Sequence, residues 1–288
     1  MRRTKGFTLV ELLVVVGIIG LLAAILVPTL QQANELTNRT VCMSNLASVG
    51  KALVLYKGTN DNLWPWMKDN LTAWDTTPTG ENRDPEKDPF EDPNDTSPRA
   101  VTALMFLLVR DGQPVKLFVC PSTSRTKDDR IVDDANTGDD EEPPYFWDFS
   151  TYRNVSYSWQ APIVDKNGKF RQGLHDSEND AVVMSDMTPK EDPLEDWANN
   201  EWNPTEKGTK VEPHVGPNHQ GKQVNALYVG MNVAKGDRPD IGTNKDMIFT
   251  ASGKTKRGDQ KATSISIQDH KSRRDSFLIG PVGDPNNP

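Results

Sequence analysis

The hydrophobic pattern divides the chain at Pro28. Phe7 to Val27 is a 21-residue apolar run interrupted by one acid, Glu11. That length suits a bilayer core of about 30 Å and exceeds the roughly 7 to 15 residues of a signal-peptide apolar region. An Ala-x-Ala cleavage site is also missing, because Ala23-Ala24 leads into Ile25-Leu26-Val27. Gly17, Gly20 and Ala23-Ala24 leave small surfaces of the kind that let membrane helices approach closely. Past Pro28 the pattern turns amphipathic: Cys42, Leu46, Val49, Leu53 and Tyr56 recur at spacings of 4, 3, 4 and 3, one helical face. The pattern predicts a helix from Phe7 to about Lys57, roughly 75 Å long at 1.5 Å per residue. Pro28 should bend or open it, and Gly58 with the polar residues after it should end it.

The rest reads as short strands between long polar loops. Candidate strands are 116–120, 155–160, 181–185, 223–229, 231–235, 246–250 and 276–279, and 100–109 has the compact apolar pattern of a second helix. A helix followed by strands predicts an α+β fold: a long N-terminal helix, transmembrane and then amphipathic, packed on a mostly antiparallel sheet. The stretch 69–99, with its five prolines, reads as a surface excursion. No internal repeat is visible.

A formal net charge of −8 argues against nucleic-acid phosphate as a partner, since such binding rests on Lys/Arg clusters. Arg2, Arg3 and Lys5 make the N-terminus locally basic, which by the positive-inside bias keeps it cytoplasmic and sends the head across the membrane. The two cysteines, Cys42 and Cys120, are too few for an all-sulfur zinc site and too distant in sequence for a CxxC redox pair. In an oxidising compartment they could form a disulfide worth about 4 kcal/mol; two buried free thiols are the alternative.

Glu11 raises the sharpest question, because an ionisable side chain in hydrocarbon costs roughly 2.5 to 3.5 kcal/mol at a helix centre. The stretch Lys5-Gly6-Phe7-Thr8-Leu9-Val10-Glu11-Leu12-Leu13 resembles the processing site of type IV prepilins and of the pseudopilins of type II secretion. The resemblance implies cleavage after Gly6, N-methylation of the new amino terminus at Phe7, a glutamate at the fifth mature position, and a helix-bending proline where Pro28 stands. Glu11 would neutralise the Phe7 amine of a neighbouring subunit as the helix enters a filament. The expected divisions are a cytoplasmic leader at 1–6, a transmembrane helix at 7–27, an amphipathic stalk at 28–58 and a soluble head at 59–288.

A second resemblance covers the head. Val41-Cys42-Met43-Ser44-Asn45-Leu46, Phe118-Val119-Cys120-Pro121-Ser122, Ser156-Tyr157-Ser158, and Asn218-His219 followed by Val224-Asn225-Ala226-Leu227-Tyr228 resemble large-headed prepilin-like proteins. The tail of that group carries His, nine residues, then Asp-Gly. Here Val229 replaces the Asp, while Gly230 remains.

Catalytic patterns are absent from the sequence: neither a GxSxG elbow, nor a P-loop, nor HExxH occurs, so no enzymatic activity is expected. His214 and His219 lie five apart, but Pro213 and Pro217 oppose a helical metal pair, and His219 is read as joining a loop to the following hairpin. No cofactor is required. Calcium is the candidate that the pseudopilin resemblance raises, with Asp128, Asp129, Asp133, Asp134, Asp139 and Asp140 as oxygen donors in an acidic loop that matches no EF-hand.

The expected function is a structural subunit that polymerises with copies of itself, served by a prepilin peptidase/methyltransferase, an inner-membrane platform protein and an assembly ATPase. Its place would be the inner membrane, with a single pass, and then a periplasmic or extracellular filament. The rival is a monomeric, membrane-tethered binding module for polysaccharide or protein that presents some of the seven tryptophans.

Overall fold

A computed structural model describes residues 8–66, 74–75, 99–128, 146, 148–164, 167, 170–175, 179–187, 218–237, 241–242, 248 and 278–279. Helix α1, Leu9–Thr59, opens with a capping box: the Thr8 hydroxyl accepts the Glu11 N–H at 3.3 Å, and the Glu11 carboxylate accepts the Thr8 N–H at 2.9 Å. Two of the donors that every helix start leaves orphaned are thereby satisfied. The helix runs on through Pro28, which withholds an N–H from the Ala24 carbonyl. It ends at Thr59, within the polar stretch after Gly58 that was expected to stop it, and Asp61 and Asn62 then take left-handed backbone angles, φ 51° and 62°. Short polar side chains tolerate that conformation.

From Leu9 to Asn34 every residue of α1 is exposed. Contact with the head begins at Glu35, and Cys42, Leu46, Val49, Gly50, Ala52 and Leu53 are buried along one seam. The expected spacing of that face is therefore observed, with Tyr56 half-buried at its end.

The seam lies on a five-stranded antiparallel sheet. Its strands are β3 (Tyr157–Gln160), β6 (Val182–Asp186), β7 (Val224–Tyr228), β8 (Val233–Gly236) and β9 (Leu278–Ile279), in the order β8-β7-β6-β3-β9. Smaller pairs are the parallel β1 (Trp74–Asp75) with β2 (Arg99–Ala100), and the antiparallel β4 (Ile163–Val164) with β5 (Phe170–Arg171). Leu227 of β7 faces the helix, and a Cβ on Gly50 would stand 3.0 Å from its Cδ1, so glycine is what allows this close approach. The opposite face buries Val182, Val224, Ala226, Ile248 and Leu278 in a second cluster. Both faces being covered explains why β3 and β6 are buried at every position.

Helix α2, Val101–Arg110, matches the expected second helix and inserts Leu104, Met105, Phe106 and Leu108 into the main core. Phe106 and Phe118 both meet Phe149 edge to face, at centroid distances of 5.1 and 5.5 Å. The expected strand at 116–120 is instead a 3₁₀ turn, Val115–Phe118, followed by extended chain. Val115 and Phe118 are buried while Lys116 is exposed, an i,i+3 pattern that a 3₁₀ turn serves and strand alternation does not. Of the expected strand at 246–250 only Ile248 is described, and it lies in a turn.

Candidate functional site

Two places concentrate functional chemistry: the exposed half of α1, and a buried polar cluster where α1 first meets the sheet. In the first, Glu11 is the lone charged side chain of the span 9–27, and Thr8 donates to its Oε2 from both backbone and hydroxyl, the latter at 2.7 Å. Around it Leu9, Val10, Leu12 and Leu13 are each more than half exposed. Gly6 and Phe7 lie outside the described residues.

The second site is assembled from four separate segments. On the helix-facing side of the sheet, Tyr157 of β3 and Asp186 of β6 are cross-strand partners, and Asn225 of β7 donates its backbone N–H to Asp186 Oδ2 at 2.7 Å. Cys42 arrives from α1, its sulfur 3.1 Å from the Tyr157 hydroxyl. Cys120 follows the 3₁₀ turn after α2, and His219 comes from the turn Asn218–Gly221 just before β7. His219 Nε2 stands 3.8 Å from Cys120 Sγ, 3.5 Å from Asp186 Oδ2 and 3.0 Å from the Asn225 amide nitrogen. One donor atom from each of Cys42, Cys120, Asp186 and His219 falls within 4.8 Å of the others, and all four residues are buried.

The other side of the imidazole faces the stalk. His219 Nδ1 lies 3.1 Å from Glu35 Oε1, Ser122 donates to Glu35 Oε2 at 2.9 Å, and Arg39 pairs with Glu35 at 3.2 Å. Asn218 donates to Asp186 Oδ1 at 3.2 Å and to the Ser156 carbonyl at 2.9 Å. His219 itself has φ 56°, in the left-handed region, which turns the chain so that its ring enters the cluster.

These contacts set the protonation of the cluster. Burial opposes a cationic ring at His219, but the hydrogen bonds and charges of Asp186 and Cys120 outweigh it and push the ring up to about 10. The hydrogen bond from Cys42, with His219 alongside, draws the Cys120 thiol down to about 6 against the cost of burial. The same bond, together with burial, pushes the Cys42 thiol up. At Glu35 burial raises the carboxyl, yet hydrogen bonds from Ser122, Arg39 and His219 hold it below the usual carboxylate range.

The structure thus brings Cys42 and Cys120 side by side, both buried and with their sulfurs within 4.8 Å of each other. His219 contacts the strand that follows it, as expected, and also reaches the stalk. Asp128 is buried, accepting hydrogen bonds from the Ser150 N–H and hydroxyl at 2.7 and 2.5 Å. Asp129, Asp133, Asp134, Asp139 and Asp140 lie outside the described residues, as does His214. Trp64 and Trp159 are buried and Trp66 packs against the core. Val229 follows β7 in a turn, its N–H donating to the Ala181 carbonyl and its side chain in the core, so β7 separates it from His219. Sequence reasoning did not find Glu35 or Asp186. Asp186 directly follows the expected strand 181–185, whose residues 181–184 are apolar, and an acid at the end of a buried strand was the available signal.

Residues 1–27 match the family model described as the prokaryotic N-terminal methylation motif. The N-terminal region is therefore similar to those of pseudopilins and type IV pilins. It is 40% identical over 77 residues to a type II secretion system core protein G of Pectobacterium carotovorum subsp. carotovorum, covering 27% of this chain and 49% of that one. With the core protein G of Klebsiella pneumoniae the identity is 37% over 81 residues, 28% of this chain and 57% of the relative. With the type IV wide pilus major component of Thermus thermophilus it is 44% over 62 residues, 22% and 47%. The chain thus spans about half the length of the curated relatives it matches. No solved structure matches the chain.

The relatives matched are named as a secretion-system core protein and a pilus major component. Among the described residues, α1 is the one helix long and apolar enough to cross a membrane, and none of its apolar stretch is buried against the head. A membrane-anchored pilin-type subunit has that form.

Proposed function

We propose that this chain is a prepilin or pseudopilin that is cleaved after Gly6, N-methylated on Phe7 and polymerised through α1 into a type IV pilus-like or type II secretion filament. The observation that supports this reading is the bare half of α1, an exposed, mostly apolar rod from Leu9 to Leu30 with a single acid, Glu11, in its first turn. Such a surface needs lipid or other copies of the same helix as its environment. Before assembly the N-terminus stays cytoplasmic and the head lies beyond the membrane. A prepilin peptidase trims the leader, and a platform protein with its ATPase draws the helix out of the bilayer.

Glu11 is the assembly residue. Its carboxylate is satisfied by Thr8 within the subunit, and both Thr8 donors fall on Oε2, so a second partner can approach Oε1. The methylated amine of Phe7 on a neighbouring copy is that partner, and pairing removes the cost of an isolated charge in hydrocarbon.

The test is the intact and N-terminal peptide mass of protein recovered from membranes and from the sheared cell surface. The expected species begins at methylated Phe7 and occurs in a sheared filament or, for a periplasmic pseudopilus, in a crosslinked helical assembly. A chain still beginning at Met1, monomeric in membranes beside an active peptidase, would overturn the reading and favour a tethered binding module.

A further inference from the structure

We infer that Cys42, Cys120, Asp186 and His219 form a tetrahedral binding site for one thiophilic divalent cation of the zinc type, which fastens the stalk helix to the sheet. Two sulfurs, one imidazole and one carboxylate are a donor set suited to such an ion, and calcium and magnesium prefer all-oxygen shells. Zinc bonds of about 2.0 to 2.3 Å in a tetrahedron place neighbouring donors on the order of 3.4 to 3.8 Å apart. Two of the edges here are 3.5 Å, from Nε2 to Asp186 Oδ2, and 3.8 Å, from Nε2 to Cys120 Sγ. No pair of the four donor atoms exceeds 4.8 Å, so closing on an ion requires shifts of about an ångström or less.

The surroundings are those of a supported site. Metal-bound imidazoles commonly give their second nitrogen to a carboxylate, which fixes the ring and turns the other lone pair to the metal. Glu35 does this for His219 at 3.1 Å and is itself held by Ser122 and Arg39. Asp186 is fixed by the Asn225 N–H and the Asn218 amide, and Cys42 by the Tyr157 hydroxyl. The Asn225 amide, 3.0 Å from Nε2, is the contact the ion would displace.

Loading is a proton exchange: the cation displaces the protons that its thiol and imidazole ligands still carry, which pass to solvent, and no redox change takes place. The four ligands come from α1, from the chain after α2, from β6 and from the turn before β7. Bound, the ion ties together segments separated by up to 177 positions, from Cys42 to His219.

The test uses the full-length chain, purified in detergent without chelator, with metal content, free-thiol count and intact mass measured on one sample. One zinc per chain is expected, with both thiols recovered as reduced after chelation and denaturation. Replacing zinc by cobalt should produce a sulfur-to-cobalt charge-transfer band and the strong visible bands of a tetrahedral site. Asp186→Asn and His219→Gln should weaken cobalt binding at least about tenfold, and Glu35→Gln about tenfold through ring orientation, with unchanged far-ultraviolet circular dichroism. If a ligand variant misfolds, the cobalt spectrum of the unaltered chain decides alone. A folded chain with two reduced thiols that takes up neither metal would overturn the inference. So would a chain recovered with a Cys42–Cys120 disulfide and no ion.

Discussion

The two halves of α1 share one helix and oppose each other in every other respect. Residues 9–34 are exposed throughout, whereas from Glu35 onward the helix meets the head and buries a seam of Cys42, Leu46, Val49, Ala52 and Leu53. Within the first half, residues 9–27 are apolar on all sides apart from Glu11, so that span has no preferred face and needs an apolar surrounding. The second is apolar on one face and so selects one partner, the sheet. Apolar content alone therefore does not bury a helix inside its own subunit. Periodicity decides whether the burial is internal, and a uniformly apolar rod is left for lipid or for other subunits.

Substitutions can break this contrast. The largest effect is expected at Glu11→Ala. If its pairing carries assembly, leaving the neighbouring amine unpaired costs about 2 to 5 kcal/mol, and filament recovery falls more than tenfold. Head stability, followed by thermal unfolding of the detergent-solubilised chain, should not change. Assembly at the wild-type level would remove the ion pair from the mechanism.

Leu46→Ala, in the fully buried seam, is expected to destabilise the head by about 2 to 5 kcal/mol in urea unfolding. Leu22→Ala, on the exposed half, should stay within about 0.5 kcal/mol in the same assay. Equal effects would mean that the two halves do not divide the work as the burial shows. Gly50→Val drives a branched side chain against Leu227 and should cost about 1 to 3 kcal/mol, less if Leu227 changes rotamer. A smaller loss than at Leu46 is expected for Glu35→Gln on the metal-free chain, about 1 kcal/mol for weakened hydrogen bonds to Ser122 and His219. It tests whether the boundary between the halves is held by packing or by this polar clasp.

Local periodicity made much of this architecture legible. The seam spacing, the second helix and the strands containing Tyr157, Val182, Val224, Val233 and Leu278 all follow from patterns a few residues long. The failures have local causes too. The segment Val115–Phe118 resembles a strand in composition, but its burial repeats every third residue because both apolar side chains turn into the same core. The pairs β1–β2 and β4–β5 are two residues per strand, too short for any alternation to show.

The candidate sites divide in the same way. Gly6, Phe7 and Glu11 lie within six consecutive positions, so the processing and assembly roles proposed for them rest on adjacency in sequence. Cys42 and Cys120 are legible as a possible pair, but neither Glu35 nor Asp186 stands apart from the many other acids.

By itself, then, the sequence determined the prepilin-type start, the membrane-length helix and the face that the helix turns to the head, because each is a property of contiguous residues and backbone period. Only the tertiary structure decided that Cys42, Cys120, Asp186 and His219 share one buried point, with Glu35 behind the imidazole. Strand pairing places Asp186 beside Tyr157 and Asn225, and a left-handed turn at His219 aims the ring inward. The packing of α1 on β7 then lowers Cys42 into the cluster, and that long-range coincidence has no short-range signature.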